Sequence, residues 1–480
     1  MPHRPWLRWL AGISPAYFVA VLLLTLVAIF LRQQFLDGPM RYDEAFTVWR
    51  YATEGSLRII ADYSLPNNHI LHTVLVHGAW RLLGMEPWAV RMPAFIAGVA
   101  LVPLGFLVFA RIAGQVAGVT TAGLICGWSV LVDFSVNARG YTLAAAFSLI
   151  AVALAAEIRS GERHPWQLWT LGVTGALGLW TIPVFLYPLT AVVLWLAAPD
   201  GRRSWRDRIF VGVGVGTLSI LLAAVLYAPV MLVGGLKSIL GNKFVTPDPF
   251  DTFSRNLPHF LDGVAGMWTH NVPMLLVGLL AIGVVAALAD SHGRGVMTLA
   301  WSFLLGTGAV LLVHHVSPPP RVMLVILPIC IGIAAAGLVG ITSLWKPADS
   351  WPPWIAIGAV AAMTTWLFVS VVTATTTLSG QNEGLVDAEA ITLDLEPLLT
   401  PNTYLAAAIP STAPIRYYFE LYGLPVNVLR EPDTPDQVFV VTFSGQTVED
   451  VLASTALEGR RDAVLVSRYP SGSLWRLSEP

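Results

Sequence analysis

Apolar residues in this chain come in long unbroken runs, not in the three-to-four-residue rhythm of a helix with one wet face. The first run covers about residues 15–35. Others lie near 92–110, 115–134, 140–157, 166–182 and 183–198. The series continues at about 209–235, 273–289, 296–313, 322–344 and 353–376. A bilayer needs about 20 apolar residues per crossing, so the pattern predicts about eleven transmembrane helices. "NNHILHTVLVHGAWRLLG" is shorter and carries His69, His72, His77 and Arg81. It reads as an interfacial helix in a first outer loop of about residues 36–90. "GNKFVTPDPFDTFSRNLPHFLDG" reads as part of a long, turn-rich outer loop. After Thr377 the rhythm changes: "QVFVVTF" and "DAVLVSRYP" are strand-like, and "TVEDVLASTALEGRR" is helix-like. The expected architecture is an all-α polytopic membrane module over 1–378, followed by a small extracytoplasmic α/β domain over 379–480.

Composition agrees. Of 480 residues 55% are hydrophobic and 12% charged, where a soluble domain has about a quarter charged. A formal net charge of −2 gives no electrostatic reason to bind nucleic acid in bulk. Cys126 and Cys330 lie inside apolar runs and read as packing residues. The N-terminal run is long and lacks a small-residue cleavage site, so it reads as an uncleaved anchor.

Charge sets the sidedness. Basic residues kept near span ends favour the cytoplasmic face. Arg4 and Arg8 place the N-terminus inside, and the cluster Arg202, Arg203, Arg206 and Arg208 belongs inside as well. Five crossings separate the first outer loop from that cluster, and the same parity puts Arg111, Arg159 and Arg163 inside. "DSHGRG" and "WKPADSW" are then inner loops, and the C-terminal domain is outside.

The outer face collects the unusual side chains. Its first loop holds Arg41, Tyr42, Asp43 and Glu44, then Asn67, Asn68 and His69. "DFSVNARGYTLAAA" adds Asp133, Asn137, Arg139 and Tyr141. Lys243, His314, His315 and Arg321 follow in later loops. Ionisable groups at a membrane are expensive and often functional. Plain readings stand beside this one. Asp43 is placed to N-cap a helix "EAFTVWRYATE". Arg139 is placed to snorkel to headgroups. Lys243 reads as a solvated loop lysine, and His314 and His315 as loop residues before a triple proline.

In their order along the chain these motifs resemble the GT-C glycosyltransferases, specifically their protein O-mannosyltransferase and aminoarabinose-transferase branch. The likeness rests on the "DE" pair after the first span, on "NNHILHTVLVHGAWRLLG...PWAVRMPAFIAG", on "NARGYTL" and on "PPPRVMLVILP". It covers about residues 15–160 well and extends loosely to about 345. It implies transfer of a single sugar from a polyprenyl-phosphate carrier to an outer-side acceptor: a glycolipid, a polysaccharide or a protein hydroxyl. On the matching positions it implies Asp43 as the catalytic carboxylate with Glu44 beside it. Arg139 and Arg321 then hold the donor phosphate, with Tyr141, His69, Lys243 and His315 as further substrate-binding candidates. The mannosyltransferases carry a His-Pro-Pro motif where this chain reads "NNHILH", without the prolines. No cofactor is implied; a divalent metal is not excluded, but no ligand cluster in the sequence supports one. Composition and short loops point to a bacterial inner membrane.

The chemistry fits such residues. An acceptor hydroxyl needs a base, and a carboxylate within reach supplies one. The departing phosphate gains charge, which arginines bind with parallel donors and stabilise in a dry site. A single attack opposite the phosphate inverts the anomeric centre. Two other classes remain: a transporter or flippase of lipid-linked sugars, which needs ionisable groups in mid-span, and a non-catalytic relative.

Overall fold

The structure is a computed structural model describing residues 12–161, 163–241, 246–289, 294–343, 352–374, 378, 384–432, 435–453, 455, 457 and 462–478. Arg4, Arg8, Lys243 and most of both predicted inner loops, "DSHGRG" and "WKPADSW", lie outside the described residues. The chain divides into two compact units. One comprises residues 1–35, 60–72 and 93–381; the other comprises 36–59, 73–92 and 382–480.

The first unit is helical, and each predicted span falls on a helix. Six helices are long and apolar enough to cross a membrane alone: Pro15–Gln33, Pro87–Ala113, Tyr141–Ser160, Trp205–Leu226, Gly295–His314 and Pro353–Val372. Counting each of two bent pairs as one span gives eight, and shorter apolar helices include Pro183–Ala197 and Leu327–Ser343. The protein is a multi-pass membrane protein. Helices in lipid approach closely where side chains are small, and here Met274–Leu288 meets Leu327–Ser343 through glycines. A Cβ added at Gly337 would lie 1.8 Å from the carbonyl oxygen of Gly283.

Two expectations change in detail. The predicted span at 115–134 is broken into Gln115–Gly127 and Ser129–Ser135, at 62° to one another. The break is held by Arg32, fully buried at the end of the first helix. Its Nη1 donates to the Cys126 carbonyl at 2.9 Å and its Nε to Ser135 Oγ at 3.0 Å. A cation thus meets the free carbonyls at the end of the first half-helix, where the helix dipole favours it. The predicted loop before 273 contains a 20-residue helix, Phe250–Thr269, turned by 119° against Met274–Leu288. It buries Phe253, Phe260, Val264 and Met267 on one face. Pro258 and the polar residues between made this stretch look like turns, but the burial spacing is helical.

The two cysteines behave as packing residues. Cys126 is buried with its thiol on the Leu24 carbonyl, and Cys330 is partly buried; both are unbonded.

The second unit joins the first-loop helix Tyr42–Thr47 to the C-terminal segment. That segment forms a four-stranded sheet of β1 (Thr403–Ala407), β2 (Gln437–Phe443), β3 (Ala463–Tyr469) and β4 (Gly472–Leu477). The strand order is β1-β2-β4-β3, with β1 parallel to β2 and β4 antiparallel to both neighbours. β2 and β3 are the strand-like runs of the sequence. The sheet is covered by apolar residues such as Val438, Val440, Val451 and Leu452.

Candidate active site

The predicted residues fall into two groups, one in each unit. In the second unit the helix Tyr42–Thr47 starts at Arg41, whose extended backbone makes it the N-cap. Asp43 is therefore not the cap; it stands within the first turn, half-buried. Glu44 takes the capping role, its Oε1 accepting the Arg41 backbone N–H at 2.9 Å. Glu44 is also fully buried against Arg91. Arg91 Nη2 lies 2.5 Å from Oε1 and its Nε 3.1 Å from Oε2. The same guanidinium donates to the carbonyls of Leu36, Gly38 and Pro39 at 2.8, 2.6 and 2.8 Å. Burial pushes the Glu44 carboxyl up, but the charge and hydrogen bonds of Arg91, aided by Arg41, outweigh it and hold it below the usual range. Arg91 thus ties the loop that leaves the first span to the helix that carries Asp43.

This helix runs on into a π-helical turn, Val48–Ala52, the kind of irregularity that is frequent at functional sites. The C-terminal helix Thr412–Leu421 packs on it. Arg416 lies 3.9 Å over the Trp49 ring. The Met40 N–H donates to Tyr418 Oη at 3.2 Å, and the Tyr417 hydroxyl donates to the Met85 carbonyl.

In the first unit Arg139, His69, Tyr141 and Arg321 come together. Arg139 and His69 are buried, at 3% and 2% exposure. Arg139 Nη1 donates to the Asn67 carbonyl at 2.8 Å, and its Nη2 lies 3.2 Å from His69 Nε2. The Gly140 N–H donates to His69 Nδ1 at 2.9 Å. Gly140 permits this approach, since a Cβ there would lie 2.8 Å from Thr181 Cγ2 and 3.1 Å from His72 Cβ. The Tyr141 ring stands edge-on to His69 at 5.0 Å and lies under Arg139 at 5.9 Å. Arg321 Nε donates to Tyr141 Oη at 3.3 Å. Burial, then the charges of Arg139, His72 and Arg321, holds the His69 imidazole far below its ordinary pKa, so it is neutral. His315 instead packs its ring beside Phe250 and Phe253, at 5.4 and 5.5 Å.

Sequence reasoning missed Arg91, and it named His72 and Asn137 without giving either a role in the site. Arg91 sits just before a predicted span, where an isolated arginine reads as a snorkelling residue. His72 is fully buried beside this group with neither ring nitrogen hydrogen-bonded. Asn137 Oδ1 is likewise buried without a hydrogen-bond partner. Orphaned buried polar atoms mark a place where a ligand could bind. Among the described residues, no group of three or more His, Cys, Asp or Glu is placed to hold a metal ion.

No protein-family model matches the chain, and no curated protein matches it by sequence. Solved structures do match. The apo crystal structure of ArnT from Cupriavidus metallidurans superposes with a TM-score of 0.64 at 13% identity, covering 95% of this chain and 97% of that one. The same enzyme bound to undecaprenyl phosphate gives 0.61 at 12%, covering 96% and 98%. The archaeal oligosaccharyltransferase AglB from Archaeoglobus fulgidus, with an inhibitory peptide and a dolichol-phosphate, gives 0.51 at 13%, covering 84% and 63%. The fold is that of ArnT. The match to ArnT runs nearly end to end in both chains, so the likeness in fold includes the C-terminal segment, which the sequence resemblance did not reach.

Proposed function

We propose that the chain is a membrane glycosyltransferase that moves one sugar from a polyprenyl-phosphate donor to an extracytoplasmic acceptor hydroxyl, with inversion. The observation that carries this is the group of buried Arg139, His69 and Tyr141 with half-buried Arg321 on a GT-C fold. Two arginines brought onto one tyrosine at the predicted outer face, Arg139 over the Tyr141 ring and Arg321 on its hydroxyl, suit a phosphate; a related fold has been seen with undecaprenyl phosphate bound. In this reading Arg139 and Arg321 take the departing phosphate. His69, held neutral, adds no charge of its own and fixes the Arg139 loop through Gly140. Asp43 removes the acceptor proton as the new bond forms. Glu44 is a positioning residue: its oxygens are engaged by Arg91 and the Arg41 N–H, so it sets the helix on which Asp43 stands.

The sides of the membrane follow from charge. Helix Tyr141–Ser160 starts at the candidate site and ends among arginines. Its 20 residues span about 30 Å, the thickness of the hydrocarbon core. The positive-inside rule then puts the arginine end in the cytoplasm and the candidate site outside, in a bacterial inner membrane. A panel of purified polyprenyl-phosphate sugars, offered to wild type and to Asp43→Asn in detergent, tests the reading. Consumption of a donor by wild type alone supports it, and equal consumption by both removes Asp43 from the chemistry.

A further inference from the structure

At the far end of the first unit three chain segments converge. They are the end of helix Pro87–Ala113, the end of Tyr141–Ser160 and the loop before Trp205–Leu226. They enclose a cavity of about 260 Å³ lined in part by Arg111, Arg159, Ser160, Asp200 and Arg202. Arg111 Nη2 donates to Ser160 Oγ at 2.9 Å, and Arg202 donates to the Ser160 carbonyl. Arg159 donates to the Ala198 and Pro199 carbonyls, both at 3.0 Å. Arg203 closes the rim on the Gly161 carbonyl.

The carbonyls orient the Arg159, Arg202 and Arg203 guanidinium groups but carry no net charge. Seven described arginines gather here: Arg111, Arg159, Arg163, Arg202, Arg203, Arg206 and Arg208. The described acids here are Glu157, Asp200 and Asp207. Asp200 is already occupied. Its Oδ1 accepts the Arg202 and Arg203 backbone N–H groups at 2.9 and 3.0 Å, and Arg203 and Arg208 lie 3.6 and 3.9 Å away. Asp207 is taken by Arg163 at 2.5 Å, and Glu157 lies 3.5 Å from Arg111. Among the described residues, seven arginines face three acids, which leaves a positive excess around a cavity at a membrane boundary. A phosphate group has the charge and the acceptor oxygens to satisfy it.

The geometry points to a phosphate-binding site here, at the membrane face opposite the candidate active site, with the Arg111, Arg159 and Arg202 guanidinium groups as its donors. The phosphate can come from an anionic lipid headgroup or from solution, and the chemistry is shared. Arg206 supplies the control. It is exposed, stacks on Trp205 at 5.4 Å and does not line the cavity.

Native mass spectrometry of the full chain in detergent, with added short-chain phosphatidylglycerol, reads retention directly and does not depend on sugar transfer. Arg202→Gln and Arg111→Gln should each lower retention at least fivefold against wild type. Arg206→Gln, with the same loss of charge, should change it less than twofold. Displacement of lipid by millimolar inorganic phosphate shows that the site reads the phosphate alone; retention against it shows that the lipid body contributes. Both results support the site. Equal effects of Arg202→Gln and Arg206→Gln, or no retention of lipid or phosphate by correctly folded wild type, overturn it.

Discussion

Arg91 grips both carboxylate oxygens of Glu44, Nη2 at 2.5 Å and Nε at 3.1 Å, with neither side chain exposed to solvent. A buried ion pair is not strongly stabilising in itself, but removing one partner strands the other and costs about 3–5 kcal/mol. Glu44→Gln should therefore lower the melting temperature sharply at neutral pH, as measured by thermal unfolding in detergent.

The same pair sets an acid limit. The Glu44 carboxyl sits lower in the folded chain than its unfolded value of about 4.3. Its contribution is thus full above about pH 4.3 and is lost as pH falls through the lower folded value. Wild type should lose melting temperature in that window, and Glu44→Gln, already destabilised, should lose less of it. Parallel slopes for the two would contradict this.

Arg139 should matter through its fork, not only its charge. Arg139→Lys keeps the charge but loses the paired donors, so donor KM should rise about tenfold or more, consistent with a loss of about 1.5–3 kcal/mol for a hydrogen bond to a charged group. In Arg139→Met the His69 pKa should move up, since one of the charges that depresses it is gone, though burial will still hold it low. Histidine NMR titration checks the shift.

Gly337→Leu should disrupt the contact between Met274–Leu288 and Leu327–Ser343, where backbone already meets backbone. Lower expression and a lower melting temperature are expected. Gly278→Ala, where an added Cβ meets nothing within 4 Å, should be tolerated in both measures.

Much of this was legible because lipid imposes a simple rule: a span must be long and apolar, and charge must gather at its ends. That rule located the helices and brought Arg139 and Arg321 to notice as polar residues at span ends, and His69 as one in the first outer loop. It says nothing of how a span breaks. The bend after Gly127 depends on Arg32, about a hundred residues away in sequence, reaching the Cys126 carbonyl. Glu44 and Arg91 illustrate the same limit, since an ion pair across 47 residues leaves no local signature. The helix Phe250–Thr269 was hidden by its own Pro258 and by the polar half of an amphipathic pattern. Trp49 and Arg416 could not be matched without the fold, because aromatic and basic residues are common at any interface.

The central claim is that Asp43 is the base of a sugar transfer. The most direct measurement is the single-turnover rate of Asp43→Asn with the polyprenyl-phosphate sugar that wild type consumes, alongside its thermal melting curve. Asparagine keeps the size and removes the base. A rate reduced by about 10²–10⁴-fold with melting unchanged is the predicted result. A rate within a fewfold of wild type would contradict the account.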